Sequence, residues 1–215
     1  MTVHLRIDPL NPDETALAEA IRILHGGGVV AFPTETFYGL GADARQEAAV
    51  EKVFRLKGRN AQNPISVIVA DDREATLLAG EVPTAAQILM GTFWPGPLTL
   101  LFGASPAVLP RLTAGTGKIG IRVSSHAIAR RLAAGLAGPL TATSANLSGE
   151  RECSTAGEVI TAFGEGLDGI IDGGETTGGL GSTILDVTVA PPRVLRAGVV
   201  SRTEILAALG VIPHC

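Results

Sequence analysis

Residues 29–44 constrain the fold more than any other stretch of this chain. They read Val-Val-Ala-Phe-Pro-Thr-Glu-Thr-Phe-Tyr-Gly-Leu-Gly-Ala-Asp-Ala. Val29 to Phe32 predicts a short apolar strand, of the kind that is covered by other layers. Pro33 breaks the run, and Thr34, Glu35, Thr36 and Tyr38 make a polar turn. Gly39 and Gly41 follow, where a backbone can bend or approach a ligand closely. Buried strands that end abruptly in hydroxyls and glycines are where α/β proteins tend to hold ligands. The same residues also suit an ordinary strand and turn, so this stretch by itself leaves function open.

The rest of the chain supplies the layers. Asn11-Pro12-Asp13-Glu14 predicts a helix start, with Asn11 as cap, Pro12 at the first helical position and Glu14 completing a capping box. Leu17, Ala20, Ile21 and Leu24 recur at helical spacing and make its buried face. A second helix, 46–56, buries Val50, Val53 and Phe54 and delivers Lys57-Gly58-Arg59-Asn60 at its C-terminal end, where cations also suit the helix dipole. The apolar run 65–70 predicts another strand covered on both faces. Further helices are expected over 73–78, 84–92, 126–136 and 155–163, and further strands over 98–102, 119–123, 140–143 and 169–172. Segments 183–188 and 193–196 suit a pair across Ala190-Pro191-Pro192. Ser201 and Glu204 predict a capping box for a last helix that ends at Gly210. The alternation predicts an α/β fold with a mixed sheet and flanking helices. At 215 residues one domain, 1–215, is the expectation. With aromatics at 4%, its core must come mainly from Val, Ile, Leu and Ala.

Several function classes drop out. A net charge of −4 argues against a generally basic nucleic-acid binder, although a local basic groove stays open. Cys153 and Cys215 make neither a disulfide framework nor a metal quartet and read as free thiols of a reducing cytosol. No signal-peptide core and no membrane-spanning apolar run is evident, so a cytoplasmic protein without membrane contact is expected. His4, His25, His126 and His214 are scattered, and no bound metal site is expected. Gly164-Glu165-Gly166-Leu167-Asp168-Gly169 matches a dinucleotide-binding glycine pattern but follows a helix and precedes a strand, the reverse of the required context.

What remains is a distributed pattern. Lys57, Arg59, Lys118, Arg122 and Arg196 supply cations, and Thr34, Thr36, Asn63, Thr143, Ser144, Asn146, Ser182 and Thr183 supply small polar groups. Nearly all fall at element ends or in Gly-rich loops. Such a set suits an anionic ligand, a polyphosphate or carboxylate, with catalysis by positioning and charge stabilisation. It also suits solvated surface loops. Arg122 stands inside a predicted strand, where a charge needs a partner.

Seven short motifs in order then resemble the YrdC/TsaC family of threonylcarbamoyl-AMP synthases. They are Pro33-Thr34-Glu35-Thr36-Phe37-Tyr38-Gly39-Leu40, Lys57-Gly58-Arg59, Trp94-Pro95-Gly96-Pro97-Leu98-Thr99, Ile121-Arg122-Val123, Ser144-Ala145-Asn146-Leu147-Ser148-Gly149, Ser182-Thr183-Ile184-Leu185-Asp186 and Leu195-Arg196-Ala197-Gly198. The resemblance covers roughly the first 200 residues and implies the single-domain form, a twisted sheet with a concave basic face. The implied reaction joins L-threonine, bicarbonate or CO2, and ATP into threonylcarbamoyl-AMP and pyrophosphate, for threonylcarbamoyl modification of tRNA. The resemblance assigns Lys57 and Arg59, as catalytic residues, together with Asn63, Ser144, Asn146 and Arg196 to ATP. It assigns Thr34, Tyr38, Arg122 and Ser182 to threonine. Mg2+ would accompany ATP with no tightly bound cofactor. Implied partners are the downstream tRNA threonylcarbamoyl-transfer machinery and, weakly, RNA or tRNA itself.

This chain departs from relatives at Ile68, where some have histidine, at Lys118, where several have threonine, and over 149–155, where a Pro-rich loop is replaced. Glu35 has no role in this reading, because a carboxylate facing an anionic intermediate is unhelpful unless paired. Two other readings compete: an RNA-binding or ribosome-assembly module, and a carbamoyl-handling domain with another acceptor. Sparse aromatics count against the first.

Overall fold

Alternation along residues 29–32 sorts side chains between two cores. Val30 and Phe32 pack with Leu17, Leu24, Ile128, Leu132 and Leu136 on one side of the sheet. Val29 and Ala31 pack on the other, with Val50, Val53, Phe54, Leu89 and Val159. The strand is thus covered on both faces, as its composition requires. The computed structural model describes residues 1–210; His214 and Cys215 lie outside the described residues.

Among the described residues ten strands form one sheet: β1 (Val3–Arg6), β2 (Val30–Pro33), β3 (Tyr38–Gly41), β4 (Ser66–Ile68), β5 (Leu98–Gly103), β6 (Lys118–Arg122), β7 (Leu140–Ser144), β8 (Gly169–Asp172), β9 (Thr183–Asp186) and β10 (Arg193–Arg196). Their spatial order is β1-β8-β2-β3-β7-β4-β6-β5-β9-β10. The pairs β1–β8, β2–β8, β4–β6 and β5–β9 are parallel, and the remainder antiparallel, so the sheet is mixed as expected. The helices are α1 (Glu14–His25), α2 (Glu47–Lys57), α3 (Asp72–Leu78), α4 (Thr84–Phe93), α5 (Pro110–Thr113), α6 (Ala127–Leu136), α7 (Ala156–Phe163) and α8 (Arg202–Ala208). Apolar residues of α1 and α6 fill one core, and those of α2, α3, α4, α7 and α8 the other.

Three local expectations change. The cap of α1 is Asp13, whose carboxylate accepts from the N–H groups of Thr15 and Ala16 at 2.7 and 3.2 Å. A carboxylate also suits the positive end of the helix dipole, so Asn11 is left outside the helix. Ile23 rather than Ile21 joins the buried set of α1. Residues 38–41 are strand β3, not turn, and pair antiparallel with β2 from Val30↔Gly41 to Pro33↔Tyr38. Gly39 and Gly41 are there because the Phe32 ring crosses them: an added Cβ would meet that ring at 3.2 and 2.8 Å respectively. The capping boxes at Thr155–Glu158 and Ser201–Glu204 are formed. Cys153 is a buried free thiol whose pKa burial pushes up.

Candidate functional site

Where helices pack, the sheet carries Val, Ile, Leu and Phe. Across β4, β6 and β7 it instead presents Ser66, Gly120, Ala142 and Ser144, and over them opens a cavity of about 360 Å³. The small floor is required: a Cβ at position 120 would fall 2.4 Å from Ser66 Oγ. The walls come from the turn after β2, the loop after α2, the loop after β7, and the β9–β10 end. That volume is within the usual range for small-molecule sites.

Of the residues expected to bind ligand, Thr34, Tyr38, Arg59, Asn63, Arg122, Ser144, Ser182 and Arg196 line this one cavity. Residues 160 positions apart in sequence therefore share a wall. Lys57 and Asn146 do not line it and lie buried behind Ser144. Their position follows from the end of α2. Gly58 takes a left-handed conformation (φ 56°) that stops the helix and sends Arg59 toward the cavity, while Lys57 turns inward. Lys57 Nζ donates to the carbonyl oxygens of Ser144 (2.5 Å) and Asn146 (2.6 Å) and to Asn146 Oδ1 (3.2 Å). Burial is the main cause that holds its pKa down at about 8, and the nearby Arg59 charge adds to it. Ser144 Oγ donates to Asn146 Oδ1 at 2.6 Å, and Asn146 Nδ2 donates to the carbonyls of Leu147 and Glu150. The Lys-x-Arg and Ser-x-Asn motifs are thus one cross-braced unit, with Lys57 at its centre.

The three arginines of the cavity differ in what already holds them. Arg59 donates to the carbonyls of Asn63 (3.2 Å) and Pro64 (2.7 Å). Arg196 donates to Ser182 O from Nε and Nη2 (3.1 and 2.8 Å) and to Ser182 Oγ (3.0 Å). Ser182 Oγ also lies 2.9 Å from Thr99 Oγ1, and Thr99 lines the cavity too. Behind this corner Gly198 packs on backbone, where an added Cβ would sit 2.2 Å from Gly181 O. Arg122, on β6, is buried and lines the cavity, yet among the described residues its guanidinium donates no hydrogen bond. Its ion partner is Glu35, Nη1 to Oε1 at 3.6 Å. That distance is Coulombic contact and too long for a hydrogen bond. Burial pushes the Arg122 pKa down and the Glu35 charge pushes it back up.

Two expected contacts look different in place. The Tyr38 hydroxyl donates to Gly174 O at 2.7 Å and accepts from Gly173 N–H at 3.2 Å. Both of its usual hydrogen bonds are taken, so its ring shapes the wall; burial pushes the phenol up to about 12. Thr34 Oγ1 donates to Phe37 O at 2.7 Å and lies 3.1 Å from Thr36 Oγ1. Lys118 is not a cavity residue: its ammonium donates to Asp186 Oδ2 at 2.8 Å. Glu152, in the loop between β7 and α7, was not singled out by the sequence and is the carboxylate among the lining residues. Among the described residues no group of three or more His, Cys, Asp and Glu side chains could hold a metal ion. No helix among the described residues is long and apolar enough to cross a membrane.

Residues 22–198 match a protein-family model, Sua5/YciO/YrdC, described as "Telomere recombination". The chain is 40% identical over 200 residues to the threonylcarbamoyl-AMP synthase of Pyrococcus abyssi, covering 93% of this chain and 59% of that protein. It is 40% identical over 206 residues to the enzyme of the same name from Bacillus subtilis, covering 95% and 60%. The crystal structure of P. abyssi Sua5 complexed with L-threonine superposes with a TM-score of 0.93 at 39% identity, over 99% of this chain and 62% of that one. The chain therefore spans about three fifths of the length of these relatives.

Proposed function

The chain belongs to the Sua5/YciO/YrdC family, and from that premise we propose that it is a threonylcarbamoyl-AMP synthase. In this reading L-threonine, bicarbonate or CO2, and ATP enter the cavity, and threonylcarbamoyl-AMP and pyrophosphate leave. The observation that carries it is the charge arrangement: three arginines line one cavity, and the buried Arg122 has no hydrogen-bond partner among the described residues. A buried guanidinium with unmet donors is a receptor for a carboxylate. A relative of this fold has been solved with L-threonine.

The chemistry follows from the charges. Threonine's ammonium gives up a proton to water, and the free amine then adds to CO2 and loses a second proton to water, leaving a carbamate. A carbamate oxygen attacks the α-phosphorus of ATP, the bond from that phosphorus to the bridging oxygen breaks, and pyrophosphate departs with the electron pair. Two anions must meet, so fixed cations lower the barrier. Arg122 takes the amino acid's carboxylate, beside Thr34, Ser182 and the Tyr38 ring. Arg59, Arg196 and Asn63 face the nucleotide, and Lys57 with Asn146 braces Ser144 behind it. Mg2+ brought in with ATP would neutralise phosphate charge, and Glu152 is the lining carboxylate that would face it. The reaction requires no membrane and suits a cytoplasmic enzyme supplying tRNA-modifying transferases.

Pyrophosphate release from ATP, with and without threonine and bicarbonate, tests this. Release that needs both supports the reading. Release that ignores threonine overturns it in favour of another carbamoyl acceptor. No turnover, with tight salt-dependent RNA binding, overturns it in favour of an RNA module. Arg122→Ala should weaken threonine by about 2 kcal/mol or more, read by calorimetry, because a charged hydrogen-bonding partner is lost.

A further inference from the structure

Glu35 lies in the turn between β2 and β3, next to Thr34 and three residues before Tyr38, and the reaction gives it nothing to do. We infer that Glu35 is the positioning residue for Arg122, holding that guanidinium in the orientation that receives the amino acid's carboxylate. The inference deepens the synthase reading and rests on it.

The geometry separates holding from occupying. Glu35 stands outside the cavity lining, whereas Thr34 and Thr36 on either side of it are in the lining. Its side chain is 13% exposed and that of Arg122 is 8% exposed, so their mutual charge is little screened by water. One carboxylate oxygen, Oε2, is fixed by the Ser124 hydroxyl. Ser124 is itself tied into the start of α6: its Oγ accepts from His126 N–H at 3.2 Å, and its carbonyl accepts from Arg130 Nη1 at 3.3 Å. Arg130 therefore spends itself on the Ser124 backbone, and Arg122 is the ion partner within 4 Å of Glu35 among the described residues.

The other oxygen, Oε1, is buried without a hydrogen-bond partner among the described residues and stands 3.6 Å from Arg122 Nη1. A carboxylate in bidentate contact would consume two of the five guanidinium N–H groups. At 3.6 Å it consumes none. It stabilises the buried cation and fixes where the cation sits, and leaves the donors for the ligand. This is the pairing that makes a carboxylate tolerable beside an anion-binding site. The turn residue also links the β2–β3 hairpin to the β6–α6 junction, so the two sides of the threonine subsite share one anchor.

The test measures threonine and ATP dissociation constants separately, by calorimetry on the unsubstituted chain, Glu35→Gln and Glu35→Asp. Glu35→Gln keeps the size and removes the charge. Threonine binding is expected to weaken by about tenfold or more while ATP binding stays within about twofold. Glu35→Asp, which keeps the charge, is expected to recover most of the threonine affinity. A merely structural role would move both ligands together and lower the melting temperature in proportion. Threonine binding by Glu35→Gln that is unchanged or tighter overturns the inference. Should Glu35→Gln fail to fold, Ser124→Ala carries the test, because it frees the carboxylate without removing it. Selective weakening of threonine then supports the inference, and unchanged threonine binding overturns it. If the unsubstituted chain binds no threonine, the synthase reading fails and this inference falls with it.

Discussion

ATP binding should drive a proton onto Lys57. The side chain is buried against three oxygens of the Ser144–Asn146 segment, and its pKa is about 8. At pH 8.5 only about a quarter of the free molecules then carry that proton. A single phosphate charge brought to about 6 Å, at an effective dielectric of about 20, favours the ammonium by roughly 2.8 kcal/mol, which is about two pH units. The pKa of the complex rises to about 10. Binding then takes up about 0.7 proton at pH 8.5 and about 0.1 at pH 7. Titration calorimetry in buffers of different ionisation enthalpy reads this uptake directly. Heats that do not depend on the buffer at pH 8.5 would refute the placement of phosphate beside Lys57. The depressed pKa also acts on stability. The unfolded amine titrates near 10.4, so between about pH 8 and 10.4 the unfolded state holds more protons and stability rises with pH. Below pH 8 both states are protonated, and the full burial cost of roughly 3 kcal/mol remains. Lys57→Met should flatten that rise in urea unfolding.

Two substitutions separate wall from contact. Tyr38→Phe removes the hydroxyl from Gly173 N–H and Gly174 O. It should cost about 1–3 kcal/mol of stability in urea titrations and leave threonine binding within about twofold; a large loss of threonine affinity at full stability would return the hydroxyl to the ligand. Lys118→Met breaks the ion pair with Asp186. It should cost about 1 kcal/mol or less, with turnover and ATP affinity unchanged; a fall in ATP affinity would place Lys118 among the phosphate groups after all.

The layer architecture was legible because it rests on local patterns: apolar runs at 29–32 and 65–70, helical spacing around Leu17 and Val53, and capping boxes such as Ser201–Glu204. β3 was not legible. Tyr38-Gly39-Leu40-Gly41 has the composition of a turn, and its strand conformation depends on the Phe32 ring lying over both glycines, a contact made across the hairpin. The α1 cap was misplaced because Asn11 and Asp13 are both good capping residues, and the choice depends on where the chain from β1 arrives. Within the site, the residue types and their convergence were legible from the motifs. Which groups face the cavity was not, because Lys57 and Arg59 are two residues apart and diverge only through the conformation of Gly58. Glu152 carried a signal in the run Glu150-Arg151-Glu152 just after the Ser-x-Asn motif.

Hydrogen-bond state, rather than charge, divides the cavity into two halves. Arg59 and Arg196 in the wall, and Lys57 buried behind it, are each held by backbone carbonyls, so their positions exist before any ligand arrives. Preorganised cations stabilise developing phosphate charge without reorganising during the reaction. Arg122 lines the cavity with a counter-charge at 3.6 Å and, among the described residues, no hydrogen bond. That arrangement favours a ligand that brings its own two-oxygen acceptor, which a free amino acid does and a triphosphate already gripped elsewhere does not need to. In the sequence Lys57, Arg59, Arg122 and Arg196 carry the same formal charge. Their division of labour is decided by which carbonyls and carboxylates the fold leaves beside each one, and at the proposed threonine side the deciding neighbour is Glu35.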